Sequence, residues 1–131
     1  MNYKVHLTWD EVDNLVNILK QKILDELPEI DSVTGIERGG LIPAVMLSHK
    51  LRIPYTEAIG PNTLVVDDIC DSGITIKDAP GSYTATLHYK ESAMAKPDIY
   101  ANLLVNESQW IVYPWEMDDS KMIQDYLDKP E

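Results

Sequence analysis

The first quarter of the chain carries apolar residues at intervals of three and four positions, which is the spacing of one face of an α-helix. Thr8 and Glu11 precede this stretch at the spacing of a capping box. Pro28 follows the last apolar position and cannot continue a helix. The sequence therefore predicts an amphipathic helix between Thr8 and Pro28, with an apolar face formed by Val12, Leu15, Val16, Leu19, Ile23 and Leu27.

Short apolar runs separated by turns follow this helix. Residues 64–66 (L-V-V) form a compact run of the kind found in a strand buried on both faces. Strands are also predicted at 31–36, 53–59, 83–89 and 101–105, helices at 41–51 and 118–127, a turn at 60–62 and a polar loop at 67–75. Helices that alternate with buried strands predict one α/β domain over residues 1–131, with a mainly parallel central sheet flanked by helices. Ligands of such sheets bind beyond the carboxyl ends of the strands.

The composition is that of a globular protein with a strongly acidic surface. The 131 residues are 44% apolar and 25% charged, with a net charge of −11. This charge repels nucleic-acid phosphates and anionic lipid, so we expect neither nucleic acid nor a membrane as a partner. Cys70 is the single cysteine, and no segment has the pattern of a transmembrane span or a secretory peptide. These features favour a cytoplasmic protein.

The residues that carry the most chemical information follow the predicted strand at 64–66. Asp67, Asp68 and Asp71 place three carboxylates within five positions, and residues 71–75 (D-S-G-I-T) lead towards a helix start. Small residues in such a turn present backbone N–H groups and hydroxyls to one point, which suits a phosphate. A divalent cation or the hydroxyls of a ligand would have to lie between the phosphate and the neighbouring acids. From the motif alone, a solvated acidic turn is an equally good interpretation.

A second candidate segment is the predicted tight loop at 37–40 (E-R-G-G). Its glycines allow a ligand to approach the backbone closely, and Arg38 can fork onto phosphate oxygens. Taken alone this signal is weak, because glycine pairs after strands commonly just form turns.

The two segments together resemble the type I phosphoribosyltransferase family, and within it the bacterial xanthine-guanine branch. Residues 65–75 follow its V-V-D-D-I-x-D-S-G-x-T pattern, and residues 38–43 (R-G-G-L-I-P) follow the segment that opens a helix. Residues 110–117 (W-I-V-Y-P-W-E-M) match a tryptophan-containing segment near the carboxyl end. The matching pieces occur in the same order over about two-thirds of the chain, which makes the set far more specific than any one piece.

The resemblance implies how the sugar donor, phosphoribosyl pyrophosphate (PRPP), would be bound. The loop around its 5-phosphate would consist of Asp71, Ser72, Gly73, Ile74 and Thr75. The acidic pair, Asp67 and Asp68, would face the ribose hydroxyls and the magnesium-bound substrate, with Asp68 as the metal residue. The pyrophosphate would lie on Glu37, Arg38 and Gly39. Mg²⁺ is the implied cofactor.

The resemblance also implies how a purine base would be bound. Trp110 would stack on the base, Ile111 would contribute backbone groups, and Lys90 would donate to an exocyclic oxygen. An ammonium donates and cannot accept, so this lysine favours guanine, hypoxanthine or xanthine over adenine. Asp71 would take the proton from the purine as it attacks the sugar. The structural alternatives are a solvated strand-end lysine for Lys90 and a core aromatic for Trp110.

One departure from the family concerns the mobile flap that covers the substrates in catalytic members. Only residues 56–63 are available between Tyr55 and the strand at 64–66, which is too short for such a lid. The sequence therefore predicts a phosphoribosyltransferase-like fold with a shortened flap. Family members are commonly dimers or tetramers, so we expect a homo-oligomer, for which Trp9, Tyr113 and the methionines are candidate interface residues.

Three functions follow from these observations. The leading hypothesis is an enzyme that transfers the 5-phosphoribosyl group from PRPP to a 6-oxopurine and releases pyrophosphate. The alternative is a non-catalytic module that binds PRPP or a nucleotide for regulation and has lost the flap. A phospho-acceptor receiver domain fits less well, because its acidic pair follows the first strand, whereas here a helix and two predicted strands come first.

Overall fold

The computed structural model describes residues 3–77 and 83–116. Its strands are β1 (Tyr3–His6), β2 (Ser32–Gly35), β3 (Thr63–Cys70), β4 (Tyr83–Tyr89), β5 (Ile99–Leu103) and β6 (Gln109–Val112). Its helices are α1 (Trp9–Glu26), α2 (Leu41–Leu51) and the single turn α3 (Ile74–Lys77). The α/β class predicted from the sequence is confirmed.

The strands form two parallel sheets. The main sheet has the order β2-β3-β4-β5, and in its register Val66 of β3 lies between Gly35 of β2 and Ala85 of β4. The small sheet pairs β1 with β6, so that Lys4 faces Trp110 and Val5 faces Ile111. The two strands of the small sheet come from opposite ends of the described chain.

Helix α1 begins with the capping box predicted from the sequence. Thr8 Oγ1 accepts from the Glu11 amide at 3.1 Å, and the Glu11 carboxylate accepts from the Thr8 amide at 2.9 Å. Its apolar face joins the main core together with α2 and the central strands, and its fully buried members include Val12, Val16 and Leu19. Burying a side chain as large as Leu19 stabilises the fold by roughly 1.5–3 kcal/mol. The core thus holds the helices against the main sheet and leaves the ends of the strands available for a binding site.

One predicted strand and one predicted loop boundary were wrong. The segment 53–59 is not a strand: Tyr55 makes an isolated bridge with Val33, and a turn in which Thr56 Oγ1 accepts from the Ala58 amide then ends the extended backbone. The loop predicted from residue 67 begins later, because β3 continues through Cys70, paired with β4.

Two strands were missed, and one predicted helix lies outside the described residues. Strands β1 and β6 were not predicted, because each has four residues and a partner about a hundred positions away. The helix expected at 118–127 lies outside the described residues. Within the described ranges, no helix is long and apolar enough to cross a membrane.

Candidate active site

A cleft of about 240 Å³ opens beyond the carboxyl ends of β2, β3 and β4 and is bordered by β6 of the small sheet. This is where ligands were expected from the predicted parallel sheet. The residues singled out from the sequence that line it are Glu37, Gly39, Asp67, Asp68, Asp71, Ser72, Gly73, Thr75, Lys90, Trp110 and Ile111. Residues from four separate segments of the chain therefore meet around one space.

Arg38 and Ile74 are the two predicted site residues outside the lining. Both side chains are exposed to solvent, and 51% of the surface of Ile74 is accessible. Arg38 lies in the chain between the lining residues Glu37 and Gly39, so its backbone is next to the cleft. Ile74 lies in the loop of residues 71–75, in which it was predicted to contribute its backbone, and a backbone contribution needs no particular side chain.

The acidic pair is held by the backbone at the end of β3. The Asp68 amide donates to Asp67 Oδ1 at 2.8 Å, and the Ile69 amide donates to Asp68 Oδ1 at 2.7 Å. The turn after β2 lies against the second carboxylate: a Cβ added to Gly39 would be 2.0 Å from Asp68 Oδ2. Only a glycine leaves room for the Asp68 carboxylate in this position.

The loop at 71–75 turns the chain from β3 into α3. Gly73 has a φ of +87°, and a Cβ there would lie 2.6 Å from the amide nitrogen of Ala95, so both the backbone and the packing require glycine. Among the described residues, the Ile74 amide donates to Ser72 Oγ at 3.3 Å, and the amides of Gly73 and Thr75 have no hydrogen-bond acceptor. These amides are available to an anion in the cleft.

Lys90 follows β4 and is only 8% exposed. Its Nζ lies 2.9 Å from Asp71 Oδ1, and its amide donates to the Cys70 carbonyl at 3.0 Å, which fixes the start of the segment after β4. The interpretation of Lys90 as a solvated strand-end lysine is wrong, because a buried ammonium is paired with a carboxylate inside the cleft.

Strand β6 of the small sheet contributes another part of the cleft lining. Trp110 is half-buried and Ile111 is buried at 8% exposure, and pairing with β1 holds both. Trp110 therefore presents part of its ring to the cleft rather than filling the main core. A half-exposed indole that lines the same cleft as a buried lysine is suited to stack on a planar ligand.

Three polar residues of the cleft were not singled out as site residues: Gln109, Tyr113 and Glu116. The last two lie inside the tryptophan-containing segment that carried the resemblance, so the motif was the signal that could have found them. The Glu116 carboxylate accepts from the Tyr113 amide at 2.8 Å. Tyr113 is only 2% exposed, so its assignment to an oligomer interface was wrong.

Two cleft residues have shifted pKa values with clear causes. Burial, aided by the charges of Asp67 and Asp71, raises the pKa of the Cys70 thiol to about 11. Burial raises the pKa of the Tyr113 hydroxyl well above its usual value, and the charge of Asp68 adds to the effect. Both groups are neutral at physiological pH, which removes Cys70 as a nucleophile.

The described residues contain no group of three or more histidine, cysteine, aspartate or glutamate side chains that could hold a metal ion by themselves. Five acidic side chains and one lysine line the described cleft. A phosphorylated ligand is repelled by such a surface unless a cation accompanies it. Mg²⁺ commonly binds through one or two carboxylates and the phosphates of a substrate, so this donor set fits a magnesium ion that arrives with its ligand.

A parallel sheet in which a central strand carries an aspartate pair near its carboxyl end and runs into a loop of small residues is the arrangement of the type I phosphoribosyltransferases. A purine phosphoribosyltransferase from Pyrococcus horikoshii superposes with a TM-score of 0.74 at 30% identity, covering 92% of this chain and 98% of that one. The chain belongs to the purine phosphoribosyltransferase family. The receiver-domain interpretation is therefore wrong.

Two further comparisons agree with this membership. The xanthine-guanine phosphoribosyltransferase of Cereibacter sphaeroides is 28% identical, and the alignment covers 86% of each chain. The xanthine-guanine-hypoxanthine phosphoribosyltransferase of Helicobacter pylori has the same fold, with a TM-score of 0.74 at 22% identity, over 88% of this chain and 95% of that one. No family model matches the chain.

Proposed function

We propose that this protein transfers the 5-phosphoribosyl group of PRPP to a 6-oxopurine and releases pyrophosphate. The observation that carries the proposal is the pairing of Lys90 with Asp71, at 2.9 Å, in a cleft that Trp110 also lines. The pairing puts a hydrogen-bond donor that cannot accept next to a carboxylate that can take a proton. The similarity to purine phosphoribosyltransferases supports the same assignment.

The Lys90–Asp71 pair is complementary to one edge of a 6-oxopurine. On that edge an exocyclic oxygen, which accepts hydrogen bonds, stands next to a ring nitrogen that carries a proton in the N7–H tautomer. The base would replace the ion pair group by group, with its O6 on Lys90 and its N7–H on Asp71. Adenine presents an amino group to Lys90 instead, and two donors cannot bond. The proposed specificity is therefore for guanine, xanthine or hypoxanthine.

The chemical step exchanges one bond at C1 of the ribose for another. N9 of the base supplies the electron pair of the new C1–N bond, the C1–O bond breaks, and its electrons leave with pyrophosphate. The N7 proton passes to Asp71, which acts as a general base. General-base catalysis typically accelerates a reaction by roughly 10²–10⁴-fold. The sugar centre is positive in the transition state, as in glycoside cleavage, and the carboxylates of Asp67 and Asp68 stabilise it.

The sugar donor would lie across the cleft with its 5-phosphate on the loop of residues 71–75. The available amides of Gly73 and Thr75 support this placement. The pyrophosphate would lie on the turn of Glu37, Arg38 and Gly39. Bound Mg²⁺ would neutralise charge on the pyrophosphate, with Asp68 as its protein ligand. The homo-oligomer and the cytoplasmic location expected from the sequence remain predictions.

The short connection before β3 has a consequence for the reaction. Residues 56–62 join the bridge at Tyr55 to β3, which leaves no room there for a flap over the substrates. A site open to water loses part of its reactive sugar to hydrolysis. We therefore expect measurable pyrophosphate release from PRPP without a base, in addition to base-dependent transfer.

The test measures pyrophosphate release from PRPP with Mg²⁺ and guanine, xanthine, hypoxanthine, adenine or no base. We expect at least one 6-oxopurine to raise pyrophosphate release above the base-free rate. With adenine, we expect the rate to stay at the base-free level. Replacement of the lysine, Lys90→Gln, removes a charged hydrogen bond worth roughly 1.5–3 kcal/mol and should lower kcat/KM for the base about 10- to 150-fold. The matched control is Lys50→Gln, which breaks a Lys–Asp pair of similar length, 2.8 Å to Asp13, away from the cleft.

The outcomes separate the enzyme from the regulatory module considered at the outset. Base-dependent release supports the enzyme. Tight PRPP binding with no base-dependent release from any of the four bases would reject catalysis and support a binding module. Equal use of adenine and guanine would contradict the role of Lys90.

A further inference from the structure

The hydroxyl of Tyr113 links the small sheet to the main sheet at the cleft. Tyr113 follows β6 directly, so it is continuous with the strand that carries Trp110 and Ile111. Its Oη lies 2.8 Å from His88 Nδ1 on β4 and 3.1 Å from the backbone carbonyl of Asp68 on β3. Tyr113 and His88 are 2% and 3% exposed. One hydroxyl thus connects both sides of the site.

The direction of these hydrogen bonds follows from which of the atoms carry a proton. A peptide carbonyl only accepts, so Tyr113 must give its single proton to the Asp68 carbonyl. His88 must then donate from Nδ1 to the Tyr113 oxygen, which requires the tautomer with a proton on Nδ1. Burial lowers the pKa of His88 to about 4, so the ring is neutral at physiological pH and its single ring proton is the one on Nδ1. Protons are therefore donated from His88 to Tyr113 to Asp68.

The chain ends on the peptide that holds the Asp68 carboxylate. The carbonyl of Asp68 and the amide of Ile69 belong to the same planar peptide unit. The Ile69 amide donates to Asp68 Oδ1 at 2.7 Å. A hydroxyl that fixes the carbonyl end of this unit also fixes the direction of its N–H, and so the orientation of the carboxylate.

We propose that Tyr113 and His88 are positioning residues that orient the Asp68 carboxylate towards the ribose and pyrophosphate of PRPP. This inference rests on the proposed function, because it assigns Asp68 to the sugar donor. Neither residue touches the reacting atoms. Their effect should fall on the binding of PRPP and much less on the base, since pairing with β1 holds Trp110 and Ile111 independently.

Packing alone does not account for the hydroxyl. The Tyr113 ring already stacks on Trp115, with centroids 4.9 Å apart and an interplanar angle of 4°. A phenylalanine would keep this stack and avoid the cost of burying a polar group. The hydroxyl is useful for its two hydrogen bonds, which connect His88 to the backbone carbonyl of Asp68.

The test compares Tyr113→Phe with Tyr83→Phe, which removes a hydroxyl that bonds Glu29 on the surface. PRPP binding in the presence of Mg²⁺ is measured by calorimetry, and KM for PRPP and for guanine by steady-state kinetics. We expect Tyr113→Phe to weaken PRPP binding and raise its KM about ten-fold, as is typical when a group that orients a ligand is lost. We expect less than a two-fold change in KM for guanine, and wild-type values for Tyr83→Phe.

A second pair of variants tests the chain at His88 and serves if Tyr113→Phe does not fold. Asparagine and leucine have nearly the same shape, but only asparagine can donate from the place of Nδ1. We therefore expect His88→Asn to keep PRPP affinity within about two-fold of the wild type, and His88→Leu to lose several-fold.

The outcomes distinguish this inference from the proposed function. If the wild type is active and Tyr113→Phe binds PRPP with the same affinity as the wild type, the positioning role alone is overturned. Equal losses in the affinities for PRPP and guanine would overturn it too, because they would assign Tyr113 to general support of the fold. A wild type that neither binds PRPP nor turns over would overturn the proposed function and this inference with it.

Discussion

Gly39→Ala perturbs the site through one methyl group placed against one carboxylate. The new Cβ would lie 2.0 Å from Asp68 Oδ2 and 2.7 Å from its Cγ. Contacts of a real Cβ rarely fall below 3.0–3.4 Å, so the Asp68 carboxylate must retreat by about 1 Å or more. The backbone of Gly39 does not have a positive φ, so the substitution adds no conformational strain.

The expected effect is large on activity and small on stability. The atoms that must move are the far end of a half-buried side chain, which can rotate with little cost to the fold. A displacement of about 1 Å in a group that positions a substrate can cost roughly 10²-fold in rate. We therefore expect kcat/KM for PRPP to fall about 100-fold, while the free energy of unfolding changes by less than about 1 kcal/mol.

Two other glycines calibrate this measurement. A Cβ at Gly60 would meet its nearest neighbour, Thr63 Oγ1, at 3.8 Å, so Gly60→Ala should change neither property. A Cβ at Gly40 would lie 2.2 Å from the Val66 carbonyl, so Gly40→Ala should lower stability because backbone must move. Kinetics and urea unfolding of the three variants give the comparison. Wild-type activity in Gly39→Ala would refute the assignment of Asp68 to the sugar donor.

Three further predictions concern other groups of the site. Trp110→Leu should raise KM for the base about 5- to 150-fold in steady-state assays, since stacking of a base on an aromatic ring is worth roughly 1–3 kcal/mol; an unchanged KM would place the base elsewhere. The pKa of His88 is about 4 in the folded state and about 6.5 when unfolded, so this group contributes stability above pH 6.5 that is lost as the pH falls towards 4. In urea unfolding, the contribution of His88 to the free energy of unfolding should be about 2 kcal/mol smaller at pH 5 than at pH 7.5. The His88→Leu variant should lack this contribution to the pH dependence. Cys70, with its pKa raised to about 11, should resist iodoacetamide at pH 7.5 until the protein is unfolded, as mass spectrometry would show.

Local pattern was sufficient for the elements whose signals lie within one stretch of chain. The capping box and apolar face of α1 and the run at Leu64–Val66 depend on neighbouring residues. The end of β3 did not follow from pattern, because Asp67 and Asp68 have low strand propensity and pairing with β4 overrides it. Strand β6 needs a partner from the start of the chain, which no local window contains.

The site divides in the same way. The proposed phosphate loop and the acidic pair are contiguous in sequence, so a motif was enough to single them out. The Lys90–Asp71 pair joins segments nineteen residues apart through the alignment of two strand ends, and only the fold reveals it. The bonds of Tyr113 to His88 and Asp68 depend on how the two sheets meet, and neither residue type signals such a contact.

The most direct test of the account is chromatographic measurement of nucleoside 5′-monophosphate formed from PRPP, Mg²⁺ and guanine. The wild type should accumulate the nucleotide in proportion to enzyme concentration. Asp71→Asn should form it roughly 10²–10⁴-fold more slowly, with PRPP affinity in calorimetry close to that of the wild type. PRPP bound by the wild type without nucleotide from guanine, xanthine or hypoxanthine would contradict the account.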